Sequence, residues 1–312
     1  MAVFLMSDLD LPLRDRTYRE PDGPHVLLVR GRELDDALEH LDARPDCRAL
    51  GIIGPVPGDV PDLGLLQGRR LLVCCEDGPR MRELAEAGMT AGAEVEWLRS
   101  DKPHFDRLAA WALPVAGVVL AAGSAKRMGN NKLLLDAGGQ PLVCHVIEAA
   151  SEGGCHRVIA VYAQQQVRDA IASSAVCVEN PNAASGQASS LRVGLTAVPD
   201  DMAGALVLLG DQPLIGAKTV EVILRAWRRE GARPAVATSY DGRREDWRPP
   251  VLLDRSLWPE LMALEGDAGA RQLLEKRPEL VDTVHSTGRP DDVDTPEDYA
   301  KIVHLFPGEH SR

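Results

Sequence analysis

Aromatic side chains are scarce: 3 Phe, 4 Tyr and 5 Trp in 312 residues. A core here has to be built from Leu, Val, Ile and Ala, and a surface that stacks nucleic-acid bases on successive aromatic rings is excluded. A basic excess is missing too. Lys and Arg number 35 against 47 Asp and Glu, a formal net charge of −12, and neither half of the chain is basic, so no nucleic-acid partner is expected. No apolar run reaches the ~18 residues of a membrane-spanning helix, and the first fourteen residues lack the basic flank and small-residue cleavage pattern of a secretory signal. No membrane association is expected, and the cytoplasm is the expected location. The 6 cysteines, Cys47, Cys74, Cys75, Cys144, Cys155 and Cys177, include no C-x-x-C pair, and the 8 histidines form no H-E-x-x-H arrangement. Reduced, mostly buried thiols and no zinc site follow.

What is present is the balance of a soluble globular chain, 45% hydrophobic and 26% charged, long enough for one large domain or two ordinary ones. The pattern divides near residue 112. Before it, His25–Val29, Arg48–Ile53, Arg70–Cys75 and Ala93–Leu98 read as short apolar strands, and Glu33–Ala43 and Pro79–Ala87 as helices, with Gly54–Gly58 and Asp101–Pro103 as breakers. Residues 1–112 are thus read as a small separate α/β domain of unknown role. Residues 113–312 are read as a second domain with a more regular alternation. Its strands are Val115–Leu120, Val158–Val161, Val176–Val178, Ala205–Leu209, Ala235–Thr238 and Val281–His285; its helices are Pro141–Ala150, Gln187–Ala197, Ala217–Arg229, Ala268–Lys276 and Pro296–Leu305. Near-continuous apolar strands separated by helices imply a mostly parallel sheet covered on both faces, and such sheets bind ligands beyond the carboxyl ends of their strands.

The loop after the first of these strands, Leu120-Ala121-Ala122-Gly123-Ser124-Ala125-Lys126-Arg127-Met128-Gly129-Asn130-Asn131-Lys132, runs from a buried strand through small residues to cations. It matches neither G-x-x-x-x-G-K-[ST] nor G-x-G-x-x-G. Small residues still let backbone N–H groups approach phosphate oxygens, and Arg127 and Lys132 can neutralise a triphosphate. The plainer alternative is a surface loop with solvated cations.

This loop resembles the L-A-A-G-x-S-x-R-M-G-x-x-K signature of the MobA-like nucleotidyltransferases, and its Ala-Ala-Gly form resembles the molybdenum cofactor cytidylyltransferases. Four later segments are similar in order and spacing: Asn180-Pro181 through Gly186, Ser189, Ser190 and Leu191 to Gly194-Leu195; Gly210-Asp211-Gln212-Pro213; Leu257 to Leu274; and Asp292-Val293-Asp294-Thr295-Pro296-Glu297-Asp298. The resemblance covers residues 115–305 and implies a Rossmann-like three-layer sandwich. It implies nucleotide binding by Leu120, Ala121, Ala122, Gly123, Ser124, Arg127, Lys132, Gly186, Ser189 and Ser190. Arg127, Lys132 and Asp211 take catalytic roles, Asp211 and Asp294 hold Mg²⁺, and CTP is the co-substrate. The acceptor implied is a phosphorylated pterin, with a molybdenum hydroxylase as possible client. The family's usual residues are replaced at Ala125, Ala183 and Ala188, and its R-G-H-P loop by Trp247-Arg248-Pro249-Pro250, which puts the acceptor's identity in question.

The chemistry is consistent with the residue types. A phosphate monoester, with a second pKa of about 6, is already ionised at neutral pH and attacks without a general base. Charge neutralisation and positioning are what the site has to supply. Mg²⁺ needs only one or two carboxylates besides phosphate oxygens and water. Asp211 and Asp294 each follow a strand, placing both on one rim; structural alternatives are a turn at Asp211 and, at Asp294, the start of a helix capped by Thr295. Asp292 is read as a solvated neighbour. Ser185 suits either a phosphate site or an ordinary helix cap. His104, Cys144, His145 and Trp258 are read as structural; Gly266 to Arg271 reads as a cap and turn, while the resemblance implies a place near the substrate cleft where Arg271 can meet an acceptor phosphate. Three readings stay open: a cytidylyltransferase acting on molybdopterin, a nucleotidyltransferase with another phosphorylated acceptor, and a non-catalytic maturation factor or chaperone that binds the finished cofactor. Some members of the family are described as oxidoreductases, yet no dinucleotide fingerprint is present.

Overall fold

The computed structural model describes residues 3–5, 25–30, 34–43, 47–53, 59–74, 79–98, 114–123, 131–200, 202–229, 232–240, 247–286 and 288–306. The breakers at 54–58 and 101–103, His104, and the loop residues Ser124 to Asn130, with Arg127 among them, lie outside the described residues. Two compact units are present, Met1–Leu113 and Pro114–Arg312.

The first unit is a parallel sheet of β1 (Val3–Leu5), β2 (His25–Arg30), β3 (Cys47–Ile53), β4 (Arg70–Cys74) and β5 (Glu94–Leu98), in that order. Successive strand residues point to opposite faces, so Leu50 with Ile52, and Leu71 with Val73, line one face. That face meets Leu34, Leu38 and Leu41 of α1 (Leu34–Ala43) and Leu84 of α2 (Pro79–Thr90). The short β1 carries no pattern the sequence could signal.

In the second unit β6 (Val115–Ala121) is followed by the hairpin β7 (Asp136–Ala137) and β8 (Gln140–Pro141), then β9 (Arg157–Tyr162), β10 (Val176–Glu179), β11 (Gly204–Leu209), β12 (Ala235–Ser239), β13 (Trp247–Asp254) and β14 (Val281–His285). The main sheet has the order β10-β9-β6-β11-β13-β12-β14, and β13 alone of these runs antiparallel to its neighbours. Its helices are α3 (Leu142–Glu152), α4 (Gln165–Ile171), α5 (Gln187–Thr196), α6 (Ala217–Trp227), α7 (Trp258–Met262), α8 (Ala270–Lys276) and α9 (Pro296–Ile302).

Central β6 is buried along its length because both faces are covered. Ala116 and Val118 pack with Leu191 and Leu195 of α5, Leu261 of α7 and Leu274 of α8. Gly117, on the opposite face, backs onto Ala150 of α3. A sheet with helices on both faces results, the expected three-layer α/β architecture. Two expectations are corrected. Trp247 to Pro250 is no loop but the first half of β13, paired to β12 through Arg248 and Trp247; the prolines concealed a strand, since proline removes a ladder donor. The segment expected as one helix from Ala268 starts at Ala270, after the turn at Gly266 and Asp267.

Candidate active site

Strands β10, β9, β6 and β11 are parallel, so the segments leaving their carboxyl ends share one rim. At the centre, Gly210 N–H donates to the Leu120 carbonyl at 3.0 Å, which sets the Ala121–Gly123 exit beside the Asp211 turn. Asn131 begins the short 3₁₀ turn Lys132–Leu134: its side chain accepts from Leu133 N–H at 3.1 Å and donates to Gln164, just past β9, at 2.9 Å. The turn therefore fixes where Lys132 points.

Lys132 Nζ donates to Asp211 Oδ2 and to Asp294 Oδ1, both at 2.6 Å. The Lys132 side chain is 13% exposed, against 23% for Asp211 and 53% for Asp294. Burial alone pushes the ammonium down; the charge and hydrogen bonds of Asp211, then Asp294, outweigh it and hold Lys132 above its ordinary value. The lysine is thus firmly cationic between two carboxylates.

Asp294 does not reach this place from a neighbouring strand end, as expected. Strand β14 lies at the sheet edge, separated from β11 by β13 and β12, and the segment after it returns across the rim. Val293 N–H donates to the Asp211 carbonyl at 3.0 Å, and Val293 is buried with Ala137, Leu142 and Ile302. Thr295 and Asp298 then form a reciprocal capping box at α9, with Pro296 in its first turn. The helix start of the structural reading is realised and anchors the segment, and Asp294 just before it faces Lys132.

Asp292 is exposed, as expected of a solvated neighbour, but it also has a fixed partner: Gln212 Nε2 donates to its Oδ1 at 2.8 Å. Burial of the carboxyl pushes its pKa up, the Gln212 bond opposes, and the charges of Asp211 and Asp294 push it further up. Lys132 thus bridges two carboxylates, and their charges and that of Lys132 are felt at Asp292. Lys132 uses one oxygen each of Asp211 and Asp294, so each keeps a second oxygen for coordination. Among the described residues no cluster of three or more His, Cys, Asp or Glu side chains forms a self-sufficient metal cage.

The other residues expected at the nucleotide lie at the start of α5, which follows β10. Gly186, at φ +110°, precedes α5, and a Cβ there would come within 2.3 Å of the Gly266 backbone. Gly266 accepts from Ala188 N–H at 3.1 Å, so the Gly186 and Gly266 motifs, distant in sequence, interlock at the start of α5. The Ser189 and Ser190 hydroxyls are buried and accept from Asn180 Nδ2, each at 2.9 Å; Ser189 also donates toward the Asn182 and Gly186 carbonyls at 3.0 Å. These serines brace the turn. Asn180, like Gln212, sat in a recognised motif without a role assigned to it. Ser124 and Arg127 lie outside the described residues.

His145 is bound on both ring nitrogens, to Gln140 at 3.1 Å and the Ala137 carbonyl at 2.8 Å. Cys144 is buried in α3. Trp258 packs against the core under the Arg255 guanidinium, 3.9 Å from its ring centre. All three are structural. Arg271 pairs with Glu275 at 2.7 Å and lies 5.8 Å over the ring of the buried Trp247.

A parallel rim carrying a lysine between two aspartates, beside a small-residue turn, defines a nucleotide-handling α/β protein. The chain belongs to the family of the MobA-like NTP transferase domain, whose model matches residues 117–282. It is similar to nicotine blue oxidoreductase of Paenarthrobacter nicotinovorans, 36% identical over 199 residues, covering 61% of this chain and 96% of that protein. It is also similar to Rv0371c from Mycobacterium tuberculosis H37Rv, with 29% identity and a TM-score of 0.53 over 61% of this chain and 98% of that one; that protein has also been solved in complex with manganese. A nucleotidyl transferase from Methanothermobacter thermautotroptrophicus shares the fold, with 21% identity and a TM-score of 0.54 over 62% and 97% of the two chains. Among the described residues no helix is long and apolar enough to cross a membrane.

Proposed function

We propose that this protein is a Mg²⁺-dependent nucleotidyltransferase that moves CMP from CTP to a phosphorylated, molybdopterin-type acceptor and releases pyrophosphate. The observation that carries the reading is Lys132 held at 2.6 Å between Asp211 and Asp294 at the strand rim. Asp211 and Asp294 would hold Mg²⁺, which when bound supplies charge neutralisation to the phosphates. Lys132 and Arg127 neutralise the triphosphate, and the Leu120–Ser124 turn presents backbone N–H groups to it. Gly186, with Ser189 and Ser190 bracing the turn, opens α5 toward the nucleotide. The acceptor phosphate attacks the α-phosphorus as its bond to the pyrophosphate oxygen breaks; the attacking oxygen is already ionised, so no residue need remove a proton. The Ala121-Ala122 pair supports CTP over GTP, and a cytoplasmic protein without nucleic-acid or membrane partners is part of the proposal.

Pyrophosphate release, measured with Mg²⁺, each nucleoside triphosphate in turn and molybdenum-loaded molybdopterin, is expected to be fastest with CTP. Turnover no higher than that of Lys132→Ala with every triphosphate would remove the catalytic claim. A second reading, transfer to another phosphorylated acceptor, is favoured by the replacement of the acceptor-side loop with a strand that buries Trp247 beneath Arg271. Turnover on a phosphorylated compound containing no pterin would select it.

A further inference from the structure

Gln212 follows Asp211 in the turn after β11, and the residue is 2% exposed. Its Nε2 carries two hydrogens. One is donated to Asp292 Oδ1 at 2.8 Å, and the Pro290 carbonyl lies 3.4 Å away as acceptor for the other. Together with Val293 N–H on the Asp211 carbonyl, these contacts stitch the returning Pro290–Val293 segment to the Asp211 turn. Asp294 is the next residue. Its carboxylate comes from a stretch that has crossed from an edge strand past the ends of two others, and nothing in the sheet ladder fixes its height above the rim.

The other end of the amide is informative. Gln212 Oε1 is buried and has no hydrogen-bond partner among the described residues. Leaving a desolvated carbonyl unpaired is unfavourable, and a leucine of similar size would fill the space without that penalty. Packing does not account for a glutamine here, whereas its donors do: a glutamate would set a second negative charge against Asp292, and an asparagine is one methylene shorter.

We propose that Gln212 is a positioning residue for the metal carboxylates: by holding Asp292 and the Pro290 carbonyl it locks Asp294 beside Asp211, so that the two close on one cation. The proposal rests on the reading of Asp211 and Asp294 as metal ligands. Gln212 touches neither nucleotide nor metal in this scheme. It acts as outer partners of metal ligands do, whose loss typically costs about 10–100-fold in metal affinity.

The test is Mn²⁺ binding to the full chain without nucleotide, followed by the electron paramagnetic resonance of free Mn²⁺, with thermal unfolding of each variant alongside. Gln212→Leu is expected to weaken binding about 10–100-fold at an unchanged unfolding midpoint. Gln212→Glu also weakens it. The double variant Gln212→Glu with Asp292→Asn recreates the bond with donor and acceptor exchanged, and is expected to recover affinity relative to Gln212→Glu alone, a recovery that mere space-filling would not produce. Full-strength binding in Gln212→Leu overturns the proposal. If Gln212→Leu fails to fold, the double variant decides, and its failure to regain affinity overturns the proposal equally. Asp211→Asn separates the two levels: its undiminished binding would sink the metal reading itself, whereas lost binding there with intact binding in Gln212→Leu sinks only the role of Gln212.

Discussion

Lys132 and Asp211, 79 residues apart in the chain, meet at 2.6 Å, and the same ammonium holds Asp294 at 2.6 Å. One lysine therefore holds both carboxylates for which a divalent cation would compete. Lys132→Gln is expected to lower pyrophosphate release about 100-fold, the loss of one preorganised charge at a phosphoryl site. With the competing ammonium gone, Mn²⁺ affinity of the nucleotide-free protein is expected to rise about tenfold, roughly 1.4 kcal/mol. A fall in that affinity would contradict the competition.

The two carboxylates are unequal. Asp211 is the less exposed, 23% against 53% for Asp294, and a charge shielded from water acts more strongly. Asp211→Asn is expected to lower kcat by about 10²–10³-fold. Asp294→Asn should cost about 10-fold to 100-fold and be partly relieved by raised Mg²⁺, which steady-state kinetics over a metal titration can read.

Gly186→Ala tests the interlock of the two distant motifs. The residue sits at φ +110° and a methyl there would strike the Gly266 backbone at 2.3 Å. Strain and overlap together are expected to cost about 2–4 kcal/mol, visible as a lower urea midpoint for the second unit. Gly266→Ala, at φ +62° with open space around its Cβ, should cost about 1–2 kcal/mol.

Cys155 supplies a pH dependence. Burial pushes its thiol from 9.0 to about 12, partly offset by the charge of Arg228. The unfolded thiol ionises above pH 9, whereas the folded one stays protonated until about 12. Its contribution to stability is thus full below pH 9 and is lost as pH rises toward 12, at up to about 1.4 kcal/mol per pH unit. Urea midpoints between pH 8 and 11 should fall less steeply in Cys155→Ala than in the native chain.

The division into two units invites a direct cut. We propose that residues 1–112 form a domain distinct from the transferase, and the chain from Pro114 onward is expected to unfold cooperatively alone. Unchanged pyrophosphate release together with failure to activate a molybdenum hydroxylase would assign the first unit to partner docking. Lost turnover would make it part of the active unit.

The strands that were legible are those whose burial on both faces wrote an uninterrupted apolar run, such as β6 and β11. Strand β13 was not, because Pro249 and Pro250 argue against a ladder, and α4 was too short and polar to leave a helical period. Lys132 and Asp211 were legible as chemistry because an anion loop and a strand-end carboxylate are local signals. The path that brings Asp294 to them was not: it depends on strand order, which no local pattern encodes. Gln212 stood in plain view inside a motif, but its partner at Asp292 is 80 residues away.

The returning segment also settles where the protein can be cut. The family match ends at residue 282, before β14 is complete, and Asp292, Val293 and Asp294 all lie beyond it. A fragment trimmed to the matched residues keeps the loop, Lys132 and Asp211, yet it lacks the acidic partner that faces them from the far side. On the ribosome the same order holds: Asp294 joins Lys132 and Asp211 only after the edge strand has emerged, so a chain interrupted earlier carries the family's signature without that contact.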